Sequence, residues 1–205
     1  DSTSDPALVL DDDDDNDGLL DHEELGLQSS GEAVPLFISA DNAFELFFNG
    51  IYIGQDDNWF QAKRFLLDLT DGKNVIAVKG IDLGGPGALI ASLRLPSGEL
   101  ATDSHWAYSN TENLNWSAFN GTLINPLIAV EYGDIDNGTW WGKSEETFAA
   151  SDFPADSKAQ WIWSADSEND DQLFFRRTFY FTDPRNEDTD QDGILDGVDA
   201  APLDP

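Results

Sequence analysis

The chain has no cysteine and no methionine, only two histidines, and 10 lysines and arginines against 41 aspartates and glutamates. Without cysteine there is neither a disulfide framework nor a thiol nucleophile, and cysteine usage leaves the redox compartment open. A net charge of −31 offers no basic footprint for nucleic acid or an anionic membrane surface, so neither is expected as a partner. No run of about 18 apolar residues occurs, and no membrane insertion is expected. There is no signal peptide and no Met at position 1, which fits a processed product or an excised piece. With His22 inside an acidic loop and His105 beside Trp106, a catalytic histidine is not expected. Paired carboxylates for glycoside hydrolysis arise in any chain this acidic, but no segment resembles a hydrolase core. The expectation is therefore a protein that is not an enzyme.

What is present is 205 residues of 40% hydrophobic composition, enough for one sizeable core with small appendages. The charge is uneven. Residues 1–32 carry 12 acidic and no basic side chains, and residues 183–205 carry 8 acidic and 1 basic. The expected division is an acidic segment 1–32, a β-domain 33–182 and a second acidic segment 183–205.

In the first segment Asp13, Asp15, Asp17, Gly18, Leu19, Asp21 and Glu24 fill positions 1, 3, 5, 6, 7, 9 and 12 of the twelve-residue calcium loop. Alternate carboxylates can wrap one hard cation, the glycine permits the sharp turn, Leu19 offers its carbonyl and Glu24 reaches back with both oxygens. Leu20 is expected to point into the core. The pattern recurs at the far end, where Asp188, Asp190, Asp192, Gly193, Ile194, Asp196 and Asp199 take the same positions. Two carboxylates ~5 Å apart repel by roughly 0.8 kcal/mol even in water, so loops this acidic are expected to need Ca2+ to fold. Ligand number and loop flexibility favour calcium over magnesium. A solvated, disordered acidic tail is the alternative that such charge runs often represent. Both runs, Asp-Asn-Asp-Gly-Leu-Leu-Asp-His-Glu-Glu-Leu and Asp-Gln-Asp-Gly-Ile-Leu-Asp-Gly-Val-Asp-Ala-Ala-Pro-Leu-Asp-Pro, resemble thrombospondin type 3 calcium repeats in their bacterial form. That resemblance implies extracellular spacers without catalysis. Weak calcium sites fill where calcium is millimolar, so the protein is expected outside the cell or on its surface.

From Ala33 the pattern changes to period two. Phe44, Leu46 and Phe48 alternate with Glu45, Phe47 and Asn49, and Asn49-Gly50 before Ile51-Tyr52-Ile53 signals a two-residue hairpin. Further strands are predicted at Lys63–Leu69, Asn74–Ile81, Ala88–Leu95, Leu100–Ser109, Leu127–Tyr132, Gln160–Ala165 and Leu173–Thr182. A short helical turn is expected around His22–Leu27, and a long loop over Asn110–Pro126. Short strands at regular spacing without a helical period predict an all-β jelly-roll β-sandwich, with EF-hand-like calcium loops at both termini.

Residues 33–182 resemble a galactose-binding-like jelly roll, of the sort found as accessory lectin-like domains beside bacterial glycosidases. The resemblance rests on Ile38-Ser-Ala-Asp-Asn-Ala-Phe-Glu-Leu-Phe-Phe-Asn-Gly50, Lys73-Asn-Val-Ile-Ala-Val78, Gly87-Ala-Leu-Ile-Ala91, Thr102-Asp-Ser-His-Trp106, Gln160-Trp-Ile-Trp-Ser164 and Phe175-Arg-Arg-Thr-Phe179. It implies the fold, while its members include sugar binders, adhesive modules and spacers. The order departs from the family, where the Trp-Ile-Trp-Ser and Phe-Arg-Arg-Thr-Phe strands come first; here they come last, as in a circular permutation. The last strands can then close their own sandwich, belong to one period of a tandem array, or complete the sandwich of another copy by strand addition. The third outcome predicts a homopolymer, with calcium loops clamping each junction of a surface fibre.

Carbohydrate is the alternative partner. Seven tryptophans are many for such a chain, and aromatic faces stack on pyranose rings. The outward member of Trp140-Trp141, taken as Trp141, with Trp59 and Trp116 in loop contexts, forms the candidate polysaccharide platform; the competing reading makes all of them core plugs and loop staples. Trp161 and Trp163 are expected in the core. Arg176 and Arg177 are expected on opposite faces, one pairing with an acidic residue at a sheet edge. Asp41, Asp82 and Asp103, near turns, are candidates for a third calcium. Asn115, Asn120 and Asn137 begin glycosylation tripeptides, read as incidental.

Overall fold

The computed structural model describes residues 12–26, 33–136, 152–199 and 202–203. Among these residues there is no helix: the elements are twelve strands. They comprise β1 (Val34–Asp41), β2 (Ala43–Phe48), β3 (Ile51–Asp56), β4 (Lys63–Leu67), β5 (Asn74–Ile81), β6 (Ala88–Leu95), β7 (Gly98–Ala101), β8 (Ala107–Ser109), β9 (Leu127–Ile128), β10 (Val130–Asp134), β11 (Gln160–Trp163) and β12 (Gln172–Phe179). One sheet runs β10-β11-β6-β1-β4, with β7 also on β6; the other runs β3-β2-β5-β12-β8-β9. The pairs whose register is resolved are antiparallel, and the two sheets make the expected sandwich.

Period two governs burial in β2, while the interior strands β5, β6 and β12 are buried on both faces. In β2, Phe44, Leu46 and Phe48 are buried and Ala43, Glu45 and Phe47 are only partly covered. Asn49 and Gly50 both take positive φ (49° and 82°), as a primed hairpin turn requires. Asn49 also accepts the Val75 amide on its Oδ1 at 2.8 Å, tying the turn to β5.

Two predicted strands prove to be two elements each. Leu100–Ser109 divides into β7 and β8, which lie in different sheets; the Asp103-Ser104-His105 corner between them is built on Asp103, whose Oδ1 accepts the His105 amide at 2.9 Å. Leu127–Tyr132 divides at Ala129 for the same reason, its halves β9 and β10 pairing in different sheets. The helical turn expected at His22–Leu27 is instead a turn ending in a parallel bridge from Glu24 to Tyr180; Leu27 lies outside the described residues.

The C-terminal strands close within this chain. β11 sits between β10 and β6, and β12 between β5 and β8. Trp161 and Trp163 are fully buried as expected. Trp161 packs with Ile90, Ile135 and Phe153, and Trp163 lies 5.3 Å from Phe175, ring centre to ring centre.

The stretch 110–126 is a loop as expected, and it has its own anchor. Trp116 joins a cluster with Phe174, Ala77 and Leu123, its ring 5.0 Å from Phe174 and 5.3 Å from Phe47. Arg176 in β12 donates to the carbonyls of Trp116, Ala118 and Phe119 at 2.9–3.0 Å. Arg176 does not stand at a sheet edge, because β12 is an interior strand, and its guanidinium fork meets loop carbonyls. Arg177 is likewise buried and donates to the His105 carbonyl at 3.1 Å. Replacing Arg176 by Met removes these donors from buried carbonyls. A loss of about 2–4 kcal/mol is expected, read as a lower urea midpoint with new proteolytic cuts within residues 113–122.

By its internal contacts the chain divides into two compact units. One holds Ala33–Asp68 and Val75–Arg177; the other holds Asp1–Glu32, Leu69–Asn74 and Thr178–Pro205. Both acidic segments thus belong to a single unit.

Candidate metal centre

The two loops share a set of backbone-to-carboxylate bonds. At position 5 the amide bonds to the carboxylate at position 3, Asp17 to Asp15 at 3.2 Å and Asp192 to Asp190 at 3.1 Å. At position 7 the amide bonds to the carboxylate at position 5, Leu19 to Asp17 and Ile194 to Asp192, both at 2.7 Å. Position 9 turns back to the amide at position 2, Asp21 to Asp14 at 2.8 Å and Asp196 to Thr189 at 2.9 Å. Its own amide bonds to the carbonyl just before the loop, Asp21 to Asp12 and Asp196 to Glu187. The glycines at position 6 take φ of 99° and 95°, a conformation open to glycine and strained for other residues.

These bonds leave a consistent remainder. Asp15 and Asp190 each give Oδ1 to the backbone, while the Oδ2 of each is buried with no hydrogen-bond partner. Oδ1 of Asp13, Oδ1 of Asp188 and Oε2 of Glu24 are also buried and unpartnered. Buried carboxylate oxygens without donors are strongly disfavoured. Five of them arranged along two loops fit a hard divalent cation, which takes oxygen ligands.

The carboxylates gather in three groups whose ligand atoms lie within 4.8 Å of one another: Asp13, Asp15 and Asp17; Asp188, Asp190 and Asp192; and Asp17, Glu24 and Asp196. The first two are the alternating positions of each loop. The third crosses between loops, and its members are the most buried, at 5%, 5% and 1% exposure. At that spacing and an effective dielectric of 20, each ionised pair repels by about 3.5 kcal/mol. Burial, opposed by the Thr182 hydroxyl and reinforced by Asp15, Asp17 and Asp196, pushes the Glu24 carboxyl up to about 7. Burial also raises Asp15 and Asp196, again with neighbouring aspartates adding to the shift. A carboxyl raised in the folded state binds more protons there than in the unfolded chain. Stability of the cation-free unit therefore falls as pH rises from about 4.5 to about 7.

The loops meet through backbone. Gly197 donates its amide to Asp17 Oδ2 at 3.0 Å, and a Cβ on Gly197 would lie 2.4 Å from the Asp17 carbonyl oxygen. Loop 1 has His22 at the equivalent position 10, so only the second loop carries the residue this approach requires. Glu24 is held by the Thr182 hydroxyl at 2.7 Å; on either side of it the Leu25 amide donates to the Tyr180 carbonyl and the Tyr180 amide donates to the Glu23 carbonyl.

Asp21 is in none of the three groups; its Oδ1 accepts the Asp14 amide. Asp199, at position 12, is also in none; aspartate is one methylene shorter than the Glu24 that occupies this position in the first loop. Leu19 is 5% exposed and Leu20 39%, so the first aliphatic, rather than Leu20, is the inward one. Asp41, Asp82 and Asp103 join no group of three acidic residues among the described residues. Asp103 instead pairs with His105 at 3.0 Å, and Asp82 is buried with its Oδ1 on the Gly84 amide.

Of the three platform tryptophans, Trp116 is 5% exposed and spent on the loop anchor, which leaves no face for a sugar. Trp59 is half-buried, stacked on Phe60 at 4.0 Å with Phe60 47% exposed. Trp141 lies outside the described residues.

No family model and no curated protein matches the chain. Among solved structures it is similar to the apo form of Pleurotus ostreatus lectin, at 21% identity and a TM-score of 0.50, over 70% of this chain and 44% of that one. The chain thus spans less than half the length of that lectin chain, and the likeness is one of fold.

Replacing Gly197 by Ala is expected to separate the loops. Overpacking against backbone costs about 1–3 kcal/mol, and the change should appear as a lower melting temperature of the terminal unit measured at saturating calcium.

Proposed function

We propose that this chain is a non-enzymatic, extracellular, calcium-binding structural module. The observation that carries the reading is the divided use of the loop carboxylates: one oxygen of Asp15 and of Asp190 is engaged by backbone, the other is buried and unpartnered. Asp13, Asp15 and Asp17 would hold one ion with the Leu19 carbonyl, and Asp188, Asp190 and Asp192 another with the Ile194 carbonyl. Bound calcium supplies positive charge that offsets the crowding of these carboxylates, and it does no chemistry on a substrate. At a calcium concentration a hundred times Kd, each filled site adds about 2.7 kcal/mol to the folded unit. Calorimetric titration and thermal unfolding with and without chelator test this. The double replacement of Asp190 and Asp192 by Ala should remove the second loop's binding and its share of the stabilisation; unchanged binding would sink the assignment.

Two finer readings rest on particular features. β11 and β12 come last in the chain yet lie inside their sheets, so the same pairings can be made by the strands of another copy. Copies exchanging them head to tail would form a fibre, since a heterologous contact that does not close propagates. Light scattering should then show large assemblies in millimolar calcium that dissociate on chelation; a 22.5 kDa species in both conditions removes this reading. The alternative is carbohydrate binding, supported by the lectin named above and by the partly open Trp59–Phe60 stack. On a glycan array, saturable binding lost in Trp59→Ala would establish it.

A further inference from the structure

We propose a further calcium position between the two loops, held by Asp17, Glu24 and Asp196, that ties the N-terminal acidic segment to the C-terminal one. It rests on the calcium reading above and adds a site that neither loop possesses alone.

The sequence template puts each ion inside its own loop. The observed grouping is different: Asp17 stands at position 5 and Glu24 at position 12 of the first loop, while Asp196 stands at position 9 of the second, with ligand atoms within 4.8 Å. All three side chains are at least nine-tenths buried. An independent observation points to a ligand there, since the Glu24 carboxylate is 5% exposed and its Oε2 has no partner, although its Oε1 is bonded to Thr182. Solvated acidic tails have no reason to bury three carboxylates together, and a buried cluster of this charge needs a cation. Oxygen-only ligands select calcium or magnesium, and irregular loop geometry favours calcium.

The position is built to form only when the loops dock. Asp17 Oδ2 receives the Gly197 amide, and Asp196 is oriented by the Thr189 amide. Asp17 belongs also to the group with Asp13 and Asp15, so its carboxylate serves two positions. Filling the first loop's site orders Asp17 for the shared one, and the two ions bind with positive cooperativity. Calcium then acts as a closure between segments some 180 residues apart in sequence.

Native mass spectrometry of the full chain at saturating calcium counts the ions directly. Three per wild-type chain is expected, and two per chain for Asp196→Ala, which removes both side-chain oxygens. Two ions on wild type would overturn the shared position while leaving the loop sites standing; no ions would remove the loop reading as well. Three ions retained by Asp196→Ala would also overturn the proposal. The wild-type count is decisive whether or not the variant folds.

Discussion

Repulsion among carboxylates is the constraint on which the terminal unit depends. Its loops place acidic side chains at alternate positions, fix one oxygen of several of them with backbone amides, and bury other oxygens without donors. Within the loops themselves apolar burial offsets little of this: Leu19 is enclosed, but Ile194 and Leu195 are 46% and 37% exposed, and the unit's buried aromatics, Phe179 and Phe181, lie outside the loops. Net stability of a domain is a small difference between large opposing quantities. A few uncompensated pairs are therefore enough to open such a unit, and a few bound ions are enough to hold it.

The sandwich obeys a different logic. Its strands bury Phe44, Leu46, Ile90, Trp161, Trp163 and Phe175 with little or no exposure, and hydrophobic burial with antiparallel pairing accounts for its folding without any ion. Where it buries charge, as at Arg176, the donors are met by carbonyls of a loop anchored by Trp116. Two units of one chain thus differ in character: one is built on apolar contacts between strands, and the other gathers crowded carboxylates.

Much of this was legible in the sequence. The strands β5 and β6 lie at the residues where the flanking turn signals put them, and Asn49-Gly50 turns as the dipeptide predicts. The calcium-loop spacing anticipated the positive φ of both glycines and the alternating carboxylates. What could not be read was long-range. Splitting Leu100–Ser109 between two sheets depends on partners distant in sequence, and periodicity carries no information about which sheet a strand joins. Trp116 looked like a loop tryptophan and is one, but its burial depends on Phe174 and Phe47 from other strands. The grouping of Asp196 with Asp17 and Glu24 has one local trace, the glycine at position 197 where the first loop has His22. Its meaning emerges only once the two loops are seen in contact.

The central claim is that calcium folds the terminal unit and leaves the sandwich to fold unaided. Amide hydrogen exchange on the full chain, in millimolar calcium and after chelation, tests it directly. The account predicts that protection in residues 12–26 and 183–199 disappears on chelation while β1, β2, β5 and β6 stay protected. Equal protection of the acidic segments in both conditions would contradict it.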